Sequence, residues 1–409
     1  MNVFITGING FIGQHLKGYL ESKKDYKLFC PSSKELDMSN EMAVDSYVKK
    51  IKPDCIIHLA NKGGGRDTLD LRDIAEYNLR MFFAIMKQSS RVEKIIHFGS
   101  GAEYGKHKPI VKATESSYKD FMPLDSYGFY KNIASRFVES CSDNVMCLRI
   151  FGCYGANENY RYKFISNAIV KNLLHLPITI YKDCLFDYIY IDDLLRIIDH
   201  FLHNQAQYKL YNASSGKGVL LSTLAEMINE TSSYKSPIII LEKDLNNEYT
   251  SDNSRLLEEI PNFSFTPHTS AIEMIRNELS NNLSNLDIES IKADPYLAHI
   301  SKMWQAPKTT QAAIYPDKTG GGGKALEYTT YHSTYVYPKL DFFLLSQPHT
   351  ILTAIHNIPY KNHIYKSDCS ITTTYTKSLN ISHLSNQNYL NFHQTLNPKE
   401  CLDISHKSA

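Results

Sequence analysis

Through about the first 150 residues, short apolar runs alternate with apolar positions at helical spacing. Residues 1–5 read as a buried strand, and Ile12, Leu16, Tyr19 and Leu20 then recur as one face of a helix. Further strand-like runs follow at 27–30, 55–59, 95–98 and 145–150. Between them, Val44, Tyr47, Val48 and Ile51, and then Ile74, Tyr77, Met81 and Ile85, repeat at helical intervals. This alternation predicts an α/β fold with a doubly wound parallel sheet and helices on both faces, over residues 1–155. The rhythm then loosens, with a helix predicted over 164–174, a strand over 178–181 and a helix over 192–202. Residues 156–282 are therefore expected to form mainly a smaller lobe, with a segment near 186–205 returning to the first domain. Residues 283–409 differ in kind: the last arginine is Arg276, and the tail's only glycines are Gly320 to Gly323. They are expected to be a separate C-terminal region of unassigned fold.

A chain of 409 residues is longer than one core usually covers, which agrees with two or more compact units. Lysine and arginine total 44 against 43 acidic residues, a formal charge of +1. No basic field argues for nucleic acid, and no basic run argues for a membrane surface. The first strand begins at once and no apolar stretch is long enough to span a bilayer, so a cytoplasmic protein is expected. The eight cysteines form no Cys-x-x-Cys pair and read as free thiols rather than disulfides or metal ligands. In the tail, the spacing from Gly320 to Lys324 is wrong for a phosphate loop, and Ala325 stands where a magnesium-binding hydroxyl is needed, so a hinge is expected. His349, His356 and His363 stand farther apart than zinc ligands usually do, and no metal site is expected.

Candidate chemistry sharpens the picture. Thr6-Gly7-Ile8-Asn9-Gly10-Phe11-Ile12-Gly13 sits at the first strand-to-helix turn. There Gly7 permits the turn, Gly10 lets the backbone approach a pyrophosphate, and Gly13 lets helix and strand pack closely. The helix N-terminus then faces the anion. Ser100 ends the strand over 95–98, at the sheet edge where open α/β folds bind ligands. Tyr127 and Lys131 lie one turn apart on an amphipathic helix, where an ammonium would favour the phenolate and lower the tyrosine pKa. The end of the second strand reads Cys30-Pro31-Ser32-Ser33-Lys34, without the acid that usually binds a ribose 2′-hydroxyl. Ser32 and Lys34 tolerate or attract a 2′-phosphate, which favours NADP(H) over NAD(H).

Over roughly residues 1 to 280 the constellation resembles the extended short-chain dehydrogenase/reductase family, specifically its NAD(P)-dependent nucleotide-sugar epimerases, dehydratases and reductases. The resemblance implies a Rossmann fold with the dinucleotide on Gly7, Gly10, Phe11, Ile12 and Gly13, and catalysis by Ser100, Tyr127 and Lys131. It further implies Asp37 near the adenine, Leu59 and Ala60 beside the cofactor, and Asn78 in the next helix. Phe186 stands where many members carry an arginine for the nucleotide diphosphate, which leaves Arg149 and Arg161, or Lys163, as substrate-binding candidates. Dehydratases of the family carry Asp-Glu directly after the catalytic hydroxyl, and the fucose-synthase branch uses a cysteine and a histidine. Here those places hold Gly101-Ala102, and residues 156–159 offer no histidine. What remains is exchange of one hydride and one proton, as in a 4-keto-sugar reductase or, alternatively, a C4 epimerase. A non-catalytic dinucleotide-binding interaction protein is the rival from another class. The resemblance also implies nucleotide-sugar metabolism serving polysaccharide biosynthesis, and a homodimer through the helices over 74–86 and 127–138.

Overall fold

The computed structural model describes residues 1–64 and 73–298. In chain order the first unit runs β1 (Asn2–Thr6), α1 (Phe11–Lys23), β2 (Lys27–Phe29), α2 (Glu41–Ile51), β3 (Cys55–His58), α3 (Ile74–Met86) and β4 (Lys94–Ser100). It continues through β5 (Ile110–Ala113), α4 (Ser126–Ser140), β6 (Val145–Ile150), β7 (Gly152–Tyr154), α5 (Phe164–Leu173), β8 (Ile178–Lys182), β9 (Leu185–Tyr190) and α6 (Ile191–His203). The remainder is β10 (Leu210–Ala213), β11 (Gly218–Leu220), α7 (Leu221–Glu230), β12 (Ile238–Glu242), β13 (Tyr249–Ser251), α8 (Ser254–Glu259), α9 (His268–Asn281) and α10 (Ile288–Lys292).

The main sheet has the order β2-β1-β3-β4-β6-β10, with every pair parallel. The chain leaves β1 towards β2 and returns past it to β3, so the crossovers change direction beside β1, and a crevice opens there at the carboxyl ends of the strands. Strands β3 and β6 and nearly all of β4 are buried, as strands covered on both faces must be, which explains their continuous apolar runs. Helix α6 covers the sheet with Ile191, Leu194, Leu195, Ile197, Ile198, Phe201 and Leu202 on its inner face. Its first turn carries Asp192 and Asp193 and its last His200 and His203, an order that suits the helix dipole.

Two boundaries differ from the sequence reading. Strand β10 lies within the stretch expected to be lobe, yet it pairs with β6 as the sixth strand of the main sheet. The segment from 283 does not detach at once, because Ile291 and Tyr296 are buried in the same core as α5, and Lys171 pairs with Asp294 at 2.6 Å. The second sheet, β11-β9-β13-β5, carries the lobe and is built from segments far apart in sequence. Helices α3 and α4 pack on each other within the one chain, with Phe83 and Phe137 edge to face at 5.0 Å. The polyglycine run, His349, His356, His363, Cys369 and Cys401 lie outside the described residues. Among the described residues no helix is long and apolar enough to cross a membrane.

Candidate active site

The first wall of the crevice is the turn between β1 and α1. Gly7 has φ +74°, and a Cβ there would stand 2.6 Å from the Ala60 nitrogen and 2.7 Å from the Leu59 carbonyl carbon. Only glycine lets β3 approach so closely. A Cβ on Gly13 would meet Ile8 Cα at 2.8 Å, whereas one on Gly10 would meet only the Gly7 oxygen, at 3.3 Å. The turn is thus packed behind Gly7 and Gly13 and open at Gly10. Thr6 ties the two strand ends together: its hydroxyl accepts from the Ala60 nitrogen at 3.0 Å and lies 2.8 Å from His58 Nδ1. The first turn of α1 holds no acidic residue and no side-chain cap, leaving its N–H groups for an anion.

The cleft above this turn measures about 600 Å³. Gly7, Gly10, Phe11, Ile12 and Gly13 line it from below, and Leu59 and Ala60 from the end of β3. Ser32 and Asp37 line the far end, joined by Pro31 and Ser33. The Asp37 carboxylate is held by the Ser39 nitrogen at 2.9 Å and hydroxyl at 2.7 Å. Lys34 is exposed and is not part of the wall. Asn78 is not part of it either: buried on α3, its amide accepts from the Lys62 nitrogen at 2.7 Å and donates to the Lys62 and Ile74 oxygens at 2.8 Å. It shapes the loop at 61–64, which forms the wall in its place.

Ser100, Tyr127 and Lys131 converge on the opposite wall. Ser100 ends β4 and both faces the cleft and caps the turn after it. Its nitrogen donates to Glu103 Oε1 at 2.8 Å, and its Oγ accepts from the Ala102 nitrogen at 3.2 Å. That reciprocal capping follows from the Ser-x-x-Glu spacing, a signal present in the sequence. Helix α4 begins at Asp125, whose carboxylate accepts from the Gly128 nitrogen at 2.7 Å, and this start aims Tyr127 and Lys131 at the cleft. Gly64, with φ +90°, lies against the Tyr127 ring; a Cβ there would stand 2.9 Å from the ring's Cζ.

Burial pushes the Tyr127 phenol up to about 12, with the Ser100 hydroxyl pulling the other way. Burial also pulls the Lys131 ammonium down to about 8. The expected lowering of Tyr127 by Lys131 is not found: burial raises the phenol, and the group pulling it down is the Ser100 hydroxyl. Lys131 Nζ donates to the Phe98 carbonyl and stands 5.8 Å from the Tyr127 ring centre. Below it, His58 and His97 stack at 5.4 Å, and burial drives His58 down to about 3, so it adds no charge beside the lysine.

The two arginines read as substrate ligands lie elsewhere. Arg149 is fully buried under the sheet end. Its Nε donates to Glu103 Oε2 at 2.7 Å, and its Nη1 donates to the Glu115 carbonyl at 2.7 Å and the Tyr104 hydroxyl at 3.0 Å. It points inward because β6 is central, and its role is to hold Glu103 and through it the Ser100 turn. Arg161 is exposed, 3.7 Å from Asp287, and is not part of the cleft wall. Lys163, Phe151 and Cys153 line the cleft instead.

Sequence reasoning also missed Glu103, Gly64 and Tyr249. Tyr249 enters from β13, and nothing near it in the sequence announces its place beside Ser100.

The arrangement can hold an extended dinucleotide against the glycine turn and present a hydroxyl, a phenol and an ammonium to a carbonyl or carbinol. A model of the NAD dependent epimerase/dehydratase family matches residues 3–214. GDP-6-deoxy-D-talose 4-dehydrogenase from Aggregatibacter actinomycetemcomitans is 24% identical over 306 residues, spanning 68% of this chain and 98% of that protein. Among solved structures, the GDP-mannoheptose C4 reductase MlghC from Campylobacter jejuni with NADP bound is similar with a TM-score of 0.59. It is 18% identical, and the match covers 68% of this chain and 97% of that one. UDP-glucose 4-epimerase from Thermotoga maritima with UDP-glucose is similar with a TM-score of 0.58 at 17% identity, covering 69% of this chain and all of that one.

Proposed function

The chain belongs to the NAD dependent epimerase/dehydratase family, and on that premise we propose that this NAD(P)-dependent enzyme reduces the 4-keto group of a nucleotide-linked sugar, with Tyr127 as proton donor. One observation carries the reading: Ser100, Tyr127 and Lys131 share one wall of the cleft facing the glycine turn, while Gly101 and Ala102, the neighbours of Ser100, offer no further acid or base. Neither of these two positions can perform proton chemistry beyond one carbonyl.

When bound, a dinucleotide would supply the hydride. Gly7, Gly10 and Gly13 would hold its pyrophosphate at the N-terminus of α1, and Leu59 and Ala60 line the same cleft. Ser100 donates to the sugar carbonyl oxygen and orients it. Tyr127 gives its proton to that oxygen as negative charge develops, the carbonyl becomes a carbinol, and the phenolate recovers a proton from solvent. A phenol pushed up to about 12 is protonated at neutral pH, which suits a residue that must first give a proton rather than take one. Lys131, one turn away, offers its ammonium to a ribose hydroxyl and to the phenolate once it forms. At the adenosine end Ser32 and Ser33 line the wall and Lys34 is exposed beside them, a set that supports NADPH.

The test follows the absorbance of NADPH or NADH with a panel of nucleotide-linked 4-keto-6-deoxy sugars. Coenzyme oxidation with one substrate is expected, faster with NADPH. Tyr127→Phe should lower kcat by about 10²- to 10⁴-fold while cofactor binding persists. Full turnover by that variant overturns the assignment of Tyr127. Absence of net oxidation, with NAD released on denaturation and two nucleotide sugars interconverted, replaces the reductase by a C4 epimerase.

A further inference from the structure

Among the described residues, three cations line the cleft: Lys131, Lys163 and Lys62. Lys131 belongs to the wall with Ser100 and Tyr127, and Lys163 stands at the start of α5. Lys62 follows β3, and one side chain holds it by both of its backbone groups. The Lys62 nitrogen donates to the Asn78 carboxamide at 2.7 Å, and the Lys62 oxygen accepts from it at 2.8 Å. The same amide donates to the Ile74 oxygen at 2.8 Å, which ties it to its own helix. Asn78 is buried, so this clamp fixes where Lys62 stands in the wall.

The half-buried side chain runs towards the end of β2. Lys62 Nζ stands 4.9 Å over the Tyr77 ring, within cation–π range. The Tyr77 hydroxyl in turn reaches Asp37 Oδ1 at 3.4 Å. Asp37 belongs to the loop after β2, whose Pro31, Ser32 and Ser33 line the cleft together with Tyr77. In a doubly wound fold that loop meets the 2′ position of the adenosine ribose, while the pyrophosphate lies at the N-terminus of α1. The charges around this corner are few. Asp37 is the one carboxylate on the wall among the described residues, and its Oδ1 already accepts from the Ser39 nitrogen and hydroxyl. Glu35 accepts from the Ser32 nitrogen at 2.7 Å, and Lys34 is exposed and off the wall. Lys62 is therefore the ammonium that the fold, rather than the neighbouring sequence, brings to the adenosine end.

We infer that Lys62, carried on the Tyr77 ring and set in place by Asn78, recognises the 2′-phosphate of NADP(H). A lysine ammonium has three donors on a flexible stem and can pass from a ring face to a phosphate without moving the backbone. The inference rests on the NADPH preference proposed above, and not on which sugar is reduced.

The test is binding without any sugar. Calorimetry compares 2′,5′-ADP with 5′-AMP, which differ only in the 2′-phosphate, and fluorescence titration compares NADPH with NADH. The parent should bind the phosphorylated member of each pair more tightly. Lys62→Met keeps most of the stem over Tyr77 and removes the charge. It should weaken 2′,5′-ADP and NADPH by roughly tenfold or more, the range of a hydrogen bond to a charged group, and leave 5′-AMP and NADH within about twofold. Lys62→Arg keeps a cation there and should retain most of the preference. An unchanged ratio between the members of each pair in Lys62→Met overturns the inference, and so does an equal weakening of both while Lys62→Arg binds like the parent, because the contact is then to the pyrophosphate that both share. A parent that binds 5′-AMP as tightly as 2′,5′-ADP overturns the inference together with the NADPH preference. If the pairs separate as expected while no nucleotide sugar is reduced, the reductase reading fails alone and the role of Lys62 stands.

Discussion

Glu103→Gln tests whether a buried charge holds the catalytic turn. Glu103 is fully buried and accepts from three donors: the Ser100 nitrogen at 2.8 Å on one oxygen, and Arg149 Nε at 2.7 Å and the Ser135 hydroxyl on the other. Glutamine has the same shape but one carbonyl oxygen and one NH₂. Whichever way its amide lies, the NH₂ meets an N–H that needs an acceptor, Ser100 in one orientation and Arg149 in the other. Burial works against the charge on Arg149, and Glu103 leads the groups that hold it ionised nonetheless. Both side chains of the pair are fully inaccessible to solvent, so screening does not soften the loss. Leaving such an ion without its partner costs about 3–5 kcal/mol. At roughly 2–4 °C per kcal/mol for a domain of this size class, melting should fall on the order of 10 °C. Thermal and urea unfolding of the cofactor-free protein measure it, and the double variant Glu103→Gln/Arg149→Met should recover at least about half of the loss, because no unpaired ion remains. Turnover should fall as well, since Ser100 loses its anchor. A Glu103→Gln protein within about 1 kcal/mol of the parent would refute the reasoning.

Lys131→Met should stabilise the cofactor-free protein while removing turnover. Holding the lysine at about 8 rather than 10.5 corresponds to roughly 3 kcal/mol of burial cost, of which about 1–2 kcal/mol should survive loss of the bond to Phe98. Between pH 8 and 10.5 the unfolded chain binds a proton there that the folded chain has released, so parent stability gains from this site as pH rises and the variant's advantage shrinks; urea midpoints at both ends of that window check the sign. Gly7→Ala combines a left-handed φ of +74° with a Cβ 2.6 Å from backbone, and should cost more than about 2 kcal/mol and abolish dinucleotide binding. Gly18→Ala, in the same helix with nothing within 4 Å of its Cβ, should instead stabilise by about 0.5–1 kcal/mol; calorimetry and coenzyme titration of the pair read both effects.

What could be read from residues alone was local. The β1–α1 turn was legible because a positive φ at Gly7 and close packing at Gly13 can be met only by glycine. The Tyr127–Lys131 pair was legible because residues four apart share a helix face, and Ser100 because its strand is a continuous apolar run that must end at the sheet edge. Asp37, Leu59 and Ala60 followed from the resemblance and line the cleft.

The direction a charged side chain takes was not legible. Arg149 was read as a substrate candidate because Phe186 stands where related enzymes carry an arginine, but its strand lies between β4 and β10, and β10 arrives from residues 210–213. The ion pair with Glu103 became visible only once β4 and β6 stood side by side. Tyr249 reaches Gly101 because β13 slots between β5 and β9, pairing with a β5 that lies more than a hundred residues earlier. Chain period and glycine stereochemistry therefore determined the fold class, the glycine turn and the candidate set of Ser100, Tyr127 and Lys131, since each is set within a few residues. Strand order, which depends on pairings among distant segments, decided which polar groups face the cleft and which are shut in the core to hold them.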